Sequence, residues 1–596
     1  MNLITLDYET FFSADYTLSR MTTEAYVRDP RFETLGCGVR TEDGQLAWLD
    51  ADQFRDWVKR VDWSQTALLA HHAHFDGLIL AHCFGVRPAF WFDTLSMARL
   101  IHGNHIRVGL DSLAKHYQLS GKTVPYDLFK GRRWSELDAY TRKTLADGCL
   151  HDVELTFELF KLLMRQFPRE ELPIVDLTVR MFTEPKLVGD RALFEQVRDE
   201  EALSKNERLY ALGVGERDLQ SAAKFTALIE AEGVEMVYKE GKNGPTPAIA
   251  KTDQFMRELC EHDNPTVAAL ASARLEVRST LNETRAGRLA DMAARGSLPV
   301  YLSYCGAHTT RWSGGDRVNF QNLPRGSHLR RALRAPDGYL IAAPDQSQGE
   351  CRLVNWFAGQ QDVVERFRRN EDPYLPMASA FYGRAITKAD KRERQVGKGI
   401  ELGCGFGMGG PKLGATLKRA GLELPETEAK RGVDVYRQTH PFVVKLWDRA
   451  NFALGQLHRK ETFAWGCLRG HDGRLYLPND AWIDYTTLDW RLNEETGRHE
   501  WVLSTRNGWS RYHGPKLVEN LIQALSRVIT SQAMLRFKAM GYPVVGMSHD
   551  DCWLLVPDDG RAEEHERAIV SVMAATPRWA PDLPLGAECK LGKTYS

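Results

Sequence analysis

The sequence has no C-x-x-C pair; its ten cysteines are scattered singly. That spacing argues against structural zinc and against a disulfide framework, and free thiols fit the reducing cytoplasm. There is no apolar run of the roughly 18 residues that a membrane-spanning helix needs. The start, MNLITLDYETF, lacks the charged-then-apolar pattern of a secretory signal. Neither sign of charge is in excess: 78 Lys and Arg stand against 79 Asp and Glu. A nucleic-acid partner is therefore not announced by net charge and needs local basic patches. Internal repeats and low-complexity tails are missing too. What remains is a chain of 596 residues, 43% hydrophobic and 26% charged, the composition of an ordinary globular protein of several domains.

Residues 1 to 175 alternate strand-like runs (NLITLDYETF, TALLAHHAHFDGLIL) with the helical stretch SELDAYTRKTLADGCLHDVELTFELFKLLMRQF, so an α/β domain is expected. Residues 176 to 300 read as charged helices with one loop at KEGKNGPTP. Strands return over 301–355, helices over 356–430 interrupted by GCGFGMGG, and 431–596 mixes helices with one hairpin.

Four acids of the first domain form a pattern. Asp7 and Glu9 are two apart on a strand and share a face. Asp76 follows an apolar run and Asp152 sits on a helix. Carboxylates gathered on apolar elements are costly unless a cation neutralises them, and oxygen-only donors suit Mg²⁺ or Mn²⁺. Near the other end, VVGMSHDDCWLLV places Asp550 and Asp551 side by side at the tip of a buried hairpin, where a divalent metal or a basic side chain is needed. Between them, Arg394, Lys398, Leu402 and Phe406 recur every four residues, along one slowly drifting helix face. Two cations followed by two apolar groups suit a triphosphate beside a base. Gly397, Gly399, Gly403 and Gly405 load that helix at roughly 1 kcal/mol each relative to Ala, which suggests close approach to a ligand or early fraying.

The first segment resembles the DEDD-type 3′→5′ exonuclease domain. Its D-x-E motif is matched by Asp7 and Glu9, its F-D by Phe75 and Asp76, and its third Asp by Asp152. Two positions depart: His72 stands where Asn is usual, and Gly148 where a Tyr usually orients the attacking water. Beyond residue 300 the chain resembles a family A DNA polymerase of the bacteriophage type. T-x-R-W-S is matched by Thr309, Arg311 and Ser313, and Q-N-L-P by Gln321 to Pro324. Motif A is matched by Asp345, Ser347, Gln348, Glu350 and Arg352, with Gln346 and Gly349 replacing Tyr and Ile, and Pro344 unusual for a strand. Motif B is matched by Arg394 and Lys398, with Leu402 and Phe406 in place of two aromatics, and motif C by His549, Asp550 and Asp551.

The resemblance implies a multidomain α/β chain: a ribonuclease H-like exonuclease domain (1–175), thumb and connecting helices (176–300), palm (301–355), fingers (356–430) and second palm segment (431–596). No segment precedes the exonuclease, so a 5′-nuclease domain is not expected. It implies polymerase catalysis by Asp345, Asp550 and Lys398 with two Mg²⁺ held by Asp345, Asp550 and Asp551. Nucleotide would be bound by Arg394, Lys398, Leu402, Phe406, Glu350, Tyr374 and Gln348, with Glu350 excluding a ribose 2′-OH. Primer–template DNA would meet Arg311, Gln321, Asn322, Arg474, Gln523 and His549. The exonuclease would hold two Mg²⁺ or Mn²⁺ on Asp7, Glu9, Asp76 and Asp152. The expected partners are primer–template DNA and dNTPs, with no membrane and a monomeric enzyme. Rival readings are a polymerase whose exonuclease domain is inactive or structural, a related RNA polymerase, a nuclease with a dead polymerase fold, and a non-catalytic nucleic-acid-binding module. Glu350 opposes the second, the intact Asp345, Asp550, Arg394 and Lys398 oppose the third, and two separate carboxylate clusters oppose the last.

Overall fold

A computed structural model describes residues 1–122, 125–241, 244–251, 253–277, 281–494, 496–506 and 508–595. The chain forms two compact units. One comprises Met1–Lys186, Pro299–Asn322 and Ala335–Lys593; the other comprises Leu187–Leu298, Leu323–Arg334 and the last residues from Thr594.

The larger unit opens with five strands, β1 (Asn2–Thr10), β2 (Thr34–Arg40), β3 (Leu46–Asp50), β4 (Thr66–Ala70) and β5 (Phe90–Asp93). Their order is β3-β2-β1-β4-β5, antiparallel from β1 to β3 and parallel from β1 to β5. Ile4, Leu6 and Tyr8 enter the core from one face of β1, which sends Asp7 and Glu9 to the other face. Every residue of β4 is buried, as for a strand covered on both sides. Helix α1 (Ala73–Phe84) starts from His72, held at φ +79°. The Asp93 carboxylate at the end of β5 accepts the backbone N–H groups of His72 (2.8 Å) and Ala73 (3.1 Å), which pins the helix start to the sheet. Helix α2 (Ala139–Met164) is capped by Asp138, whose Oδ1 accepts the Thr141 N–H at 2.8 Å. It runs unbroken through Gly148. A Cβ at Gly38 of β2 would lie 2.9 Å from Cys149 Sγ, so that glycine lets α2 lie directly on the sheet. This strand order and these flanking helices make an α/β domain, as expected from the sequence.

The same unit holds an antiparallel sheet built from β6 (Tyr339–Ala342), β7 (Asp345–Gln346), β8 (Val544–Ser548), β9 (Asp551–Pro557), β10 (Ala587–Glu588) and β11 (Leu591–Gly592). Its order is β10-β7-β9-β6-β11, with β8 also on β9. Pro344 does not sit inside a strand: the chain breaks between β6 and β7, and the Pro344 carbonyl accepts the Cys552 N–H at 3.3 Å. Helix α3 (Gly349–Ala358) follows directly. Then come α4 (Tyr374–Tyr382), α5 (Lys391–Cys404) and the long α6 (Gly514–Ala539), the last buried along much of its length. Two sheets that the sequence reading did not foresee precede α6, one of four strands over residues 463–484 and one of three over 488–512.

The smaller unit is helical, with a core around Leu209, Phe225, Ile229, Met256 and Leu270. Where a loop is expected at KEGKNGPTP, Tyr238–Gly241 pairs antiparallel with Gly244–Pro247; residues 242 and 243 lie outside the described residues.

Two candidate active sites

The first site lies on the β1 face opposite the core. Asp7 and Glu9 are register partners of Gly38 and Gly36, which have no side chains to cover them. Asp76 comes from the first turn of α1, and its Oδ1 accepts the Tyr8 N–H at 3.2 Å. Asp152 comes from α2 with its side chain 1% exposed. Their acidities report mutual repulsion in a dry place. Burial pushes Asp7 up to about 7, with the Asp152 charge adding to it. Glu9 and Asp76 are raised well above the ordinary range by burial and then by Asp7. Burial also raises Asp152, although Lys122 opposes it. Four acids, Asp7 half-buried and the other three buried, that resist ionising together are what a divalent cation relieves, and their oxygen donors fit Mg²⁺ or Mn²⁺.

Three side chains absent from the sequence reading join this cluster. Cys149 on α2 places Sγ 3.3 Å from the Asp7 carbonyl and 3.7 Å from its Oδ2. The ligand atoms of Asp7, Glu9 and Cys149 lie within 4.8 Å of one another. Its position three residues before Asp152 on one helix face was a readable signal. Lys122 Nζ lies 2.6 Å from Asp152 Oδ2 and 3.1 Å from the Tyr126 hydroxyl. Both arrive on a connecting segment with no periodicity to betray them. His72 and His151, the latter one helical turn beyond Gly148, are engaged elsewhere. His72 Nε2 meets the Tyr301 hydroxyl at 3.0 Å, and His151 Nε2 meets the Gly121 carbonyl at 3.0 Å.

The second site lies at the β7–β9 junction. Asp345 is the register partner of Asp551 on one side and Glu588 on the other, so the three share a face. The β8–β9 hairpin turns through His549 (φ +55°) and Asp550, leaving His549 exposed and Asp550 half-buried. One Asp551 oxygen accepts the Ser548 N–H (2.9 Å) and the Trp553 indole N–H (3.2 Å), so this acid also shapes the turn. Ser548 Oγ donates to the Gln321 carbonyl at 3.0 Å, which brings the Gln321–Asn322 segment to the hairpin. Glu350 in the first turn of α3 lies 3.5 Å from Arg311. Burial and then the Asp550 charge push its carboxyl up to about 7. Gln348 is steadied by Arg352, 3.4 Å away, which also donates to the Ser347 and Pro584 carbonyls. Gly349 packs on Gln346: an added Cβ would lie 2.8 Å from its Oε1.

On α5, Arg394 and Lys398 both lie over the Tyr374 ring of α4, at 5.3 and 5.7 Å from its centre. Arg394 Nε donates to Asp372 at 2.6 Å. Leu402 is 39% exposed on the same helix. Phe406 departs from the expected helical row, because α5 ends at Cys404 and Gly407 turns the chain at φ +75°. Nor do the glycines mark approach to a ligand: a Cβ at Gly397 would lie 2.6 Å from the Tyr374 carbonyl, and one at Gly399 would lie 2.4 Å from Leu417. They admit neighbouring protein. Arg474 is drawn to Asp484 (3.5 Å), which also meets His105, and Gln523 donates to Glu519 (3.3 Å).

Comparison with known proteins gives this geometry its context. Residues 193–464 match the family model of DNA polymerase family A. The DNA polymerase of Bacillus phage SP02 is 25% identical over 685 aligned positions, covering 99% of this chain and 98% of that one. DNA polymerase I of Pseudomonas aeruginosa is 25% identical, but the match covers 69% of this chain and 45% of that protein. Among solved structures, the POL domain of Pol1 from M. smegmatis, in complex with DNA primer-template and dNTP, superposes with a TM-score of 0.71 at 19% identity. It covers 99% of this chain and 95% of that one, and so shares its fold. Over residues 193–464 the chain is thus similar to DNA polymerase family A, and over nearly its whole length it shares the fold of a polymerase domain.

Proposed function

We propose that the chain is a template-directed DNA polymerase that extends a primer 3′ end with deoxynucleotides and carries a 3′→5′ exonuclease in its first domain. The observation that carries the polymerase reading is the register pairing of Asp345 with Asp551 beside the Asp550 turn. Two acids on adjacent strands and a third at the tip suit two Mg²⁺. When bound, those ions lower the pKa of the primer 3′-OH and steady the departing pyrophosphate. The chain's own side chains do the rest. Arg394 and Lys398, backed by Tyr374, hold the triphosphate through charge-assisted contacts. Glu350 closes the space where a ribose 2′-OH would lie. Arg311, Gln321 and Asn322 line the primer–template near the hairpin.

In the first domain Asp7, Glu9, Asp76 and Asp152 hold the metal for hydrolysis of a 3′ terminal phosphodiester. Full-length coverage of a phage polymerase supports a role in replicating phage DNA, inside the cytoplasm of the infected cell. No described helix is long and apolar enough to cross a membrane. The test is a 5′-labelled primer–template with Mg²⁺. Extension with all four dNTPs, and shortening of a mismatched 3′ end without them, are expected. Failure to extend overturns the polymerase reading. Extension without any Mg²⁺- or Mn²⁺-dependent shortening favours the second reading, in which the first domain is a scaffold; the glycine at 148 is the observation on its side.

A further inference from the structure

The acid cluster of the first domain already contains a cation. Lys122 Nζ lies 2.6 Å from Asp152 Oδ2, and the carboxylate it meets is 1% exposed whereas the lysine side chain is 30% exposed. The Tyr126 hydroxyl holds the same ammonium at 3.1 Å. Asp7 and Glu9 also feel its charge. Burial works against the ammonium, yet Asp152, Tyr126 and Asp7 outweigh it and hold it charged. A lysine stem is flexible and its head can return to water. The ammonium therefore sits where it balances the buried acids and from where it can leave.

We propose that Lys122 is a resident competitor for Asp152, and that a divalent ion must displace it to load the exonuclease site. The inference rests on the reading that Asp7, Glu9, Asp76 and Asp152 hold metal. It makes Lys122 a residue that sets metal affinity, so that digestion needs a higher metal concentration than it would without the lysine. Tyr126 acts through Lys122, by keeping it seated.

The test is Mn²⁺ binding followed by electron paramagnetic resonance, on the full chain carrying Asp345→Asn and Asp550→Asn to silence the second site. Adding Lys122→Gln should tighten Mn²⁺ binding about tenfold, equivalent to ~1.4 kcal/mol. Tyr126→Phe keeps the ion pair and the fold but loosens the lysine, and should tighten binding about twofold. Lys143→Gln removes an equal charge from the surface of α2, about 13 Å along the helix from Asp152 and beyond the screening length at physiological salt. It should leave the affinity unchanged. Equal affinity in the parent and Lys122→Gln overturns the proposal, as does an equal gain from Lys143→Gln. Asp7→Asn should remove the bound Mn²⁺ in every background. If no variant binds Mn²⁺ in a way that depends on Asp7, the metal-site reading itself fails and the inference falls with it.

Discussion

At the scale of single residues the acids separate by what surrounds them. Asp345 shares its sheet face with Asp551 and Glu588, and Asp550 is presented by a turn. Asp345→Ala or Asp550→Ala should each lower primer extension by at least ~10²–10³-fold, the scale of losing one preorganised charge contact at a reacting centre. DNA retention in a gel-shift assay should persist, and extension within tenfold of wild type would refute the assignment. Chelation with EDTA should abolish extension as fully. Glu350 makes a different prediction, because its carboxyl is pushed up to about 7 by burial and by Asp550. A folded pKa above the unfolded one means that the folded state holds the proton more tightly. This residue's contribution is then fully present below about pH 4.5 and is lost as pH rises through about 7. Glu350→Gln should raise the melting temperature at pH 8 and leave it nearly unchanged at pH 5. Glu350→Ala should increase ribonucleotide incorporation relative to deoxynucleotide, measured as a ratio of kcat/KM values.

At the scale of elements, α5 shows both what could be read from the sequence and what could not. Its four-residue row of Arg394, Lys398 and Leu402 was legible, because helical spacing alone puts them on one side. Its end was not, because Phe406 continues the same spacing past the point where Gly407 turns the chain at φ +75°. The meaning of its glycines was not legible either. A glycine in a string looks the same whether a ligand or a neighbouring helix needs the space. Gly397 makes room for the backbone of α4, which cannot move aside cheaply. Gly397→Ala should cost ~1–3 kcal/mol by overpacking and raise the KM for dNTP, because α4 carries the Tyr374 ring beneath Arg394 and Lys398. Gly414 sits inside helix Gly410–Arg419 with Ala429 at an ordinary 3.5 Å. Gly414→Ala should therefore stabilise by up to ~1 kcal/mol. Melting curves of the two variants should move in opposite directions. The strand pair of Asp7 and Glu9 was legible for the complementary reason, that a period of two fixes a face. Lys122 was not, since only the tertiary path of a loop brings it to Asp152. The sheets over 463–512 also escaped, because their strands are short, and one of them, Gly508–Tyr512, is exposed over four of its five residues and shows no apolar alternation.

At the scale of the molecule, one buried ion pair joins segments far apart in sequence within the larger unit. Both Glu171 oxygens meet Arg527 of α6 at 2.6 Å, and the two side chains are 2% and 1% exposed. The Tyr304 hydroxyl and the Asn479 side chain also donate to Glu171, while Tyr304 and Trp312 lie against the guanidinium. The knot thus gathers the end of the first domain, the segment after residue 300, the four-stranded sheet and α6. A pair this dry gains little over an apolar contact, but halving it strands a charge. Burial disfavours the Glu171 carboxylate, yet Arg527 and the other donors outweigh it and hold its pKa below the usual 4.5. Its contribution is therefore in place above about pH 4.5 and is lost as pH falls below that. Arg527→Ala should destabilise the larger unit by ~3–5 kcal/mol at neutral pH. Because the knot links the end of the first domain to the segment after residue 300 and to α6, extension and 3′ digestion should fail together on warming. Glu171→Leu with Arg527→Met should recover most of the loss, since no charge is then left unpaired. Thermal unfolding of the single and double variants at pH 7.5 checks this. A double variant no more stable than Arg527→Ala would mean that the pair's geometry, and not the stranded charge, holds these segments together.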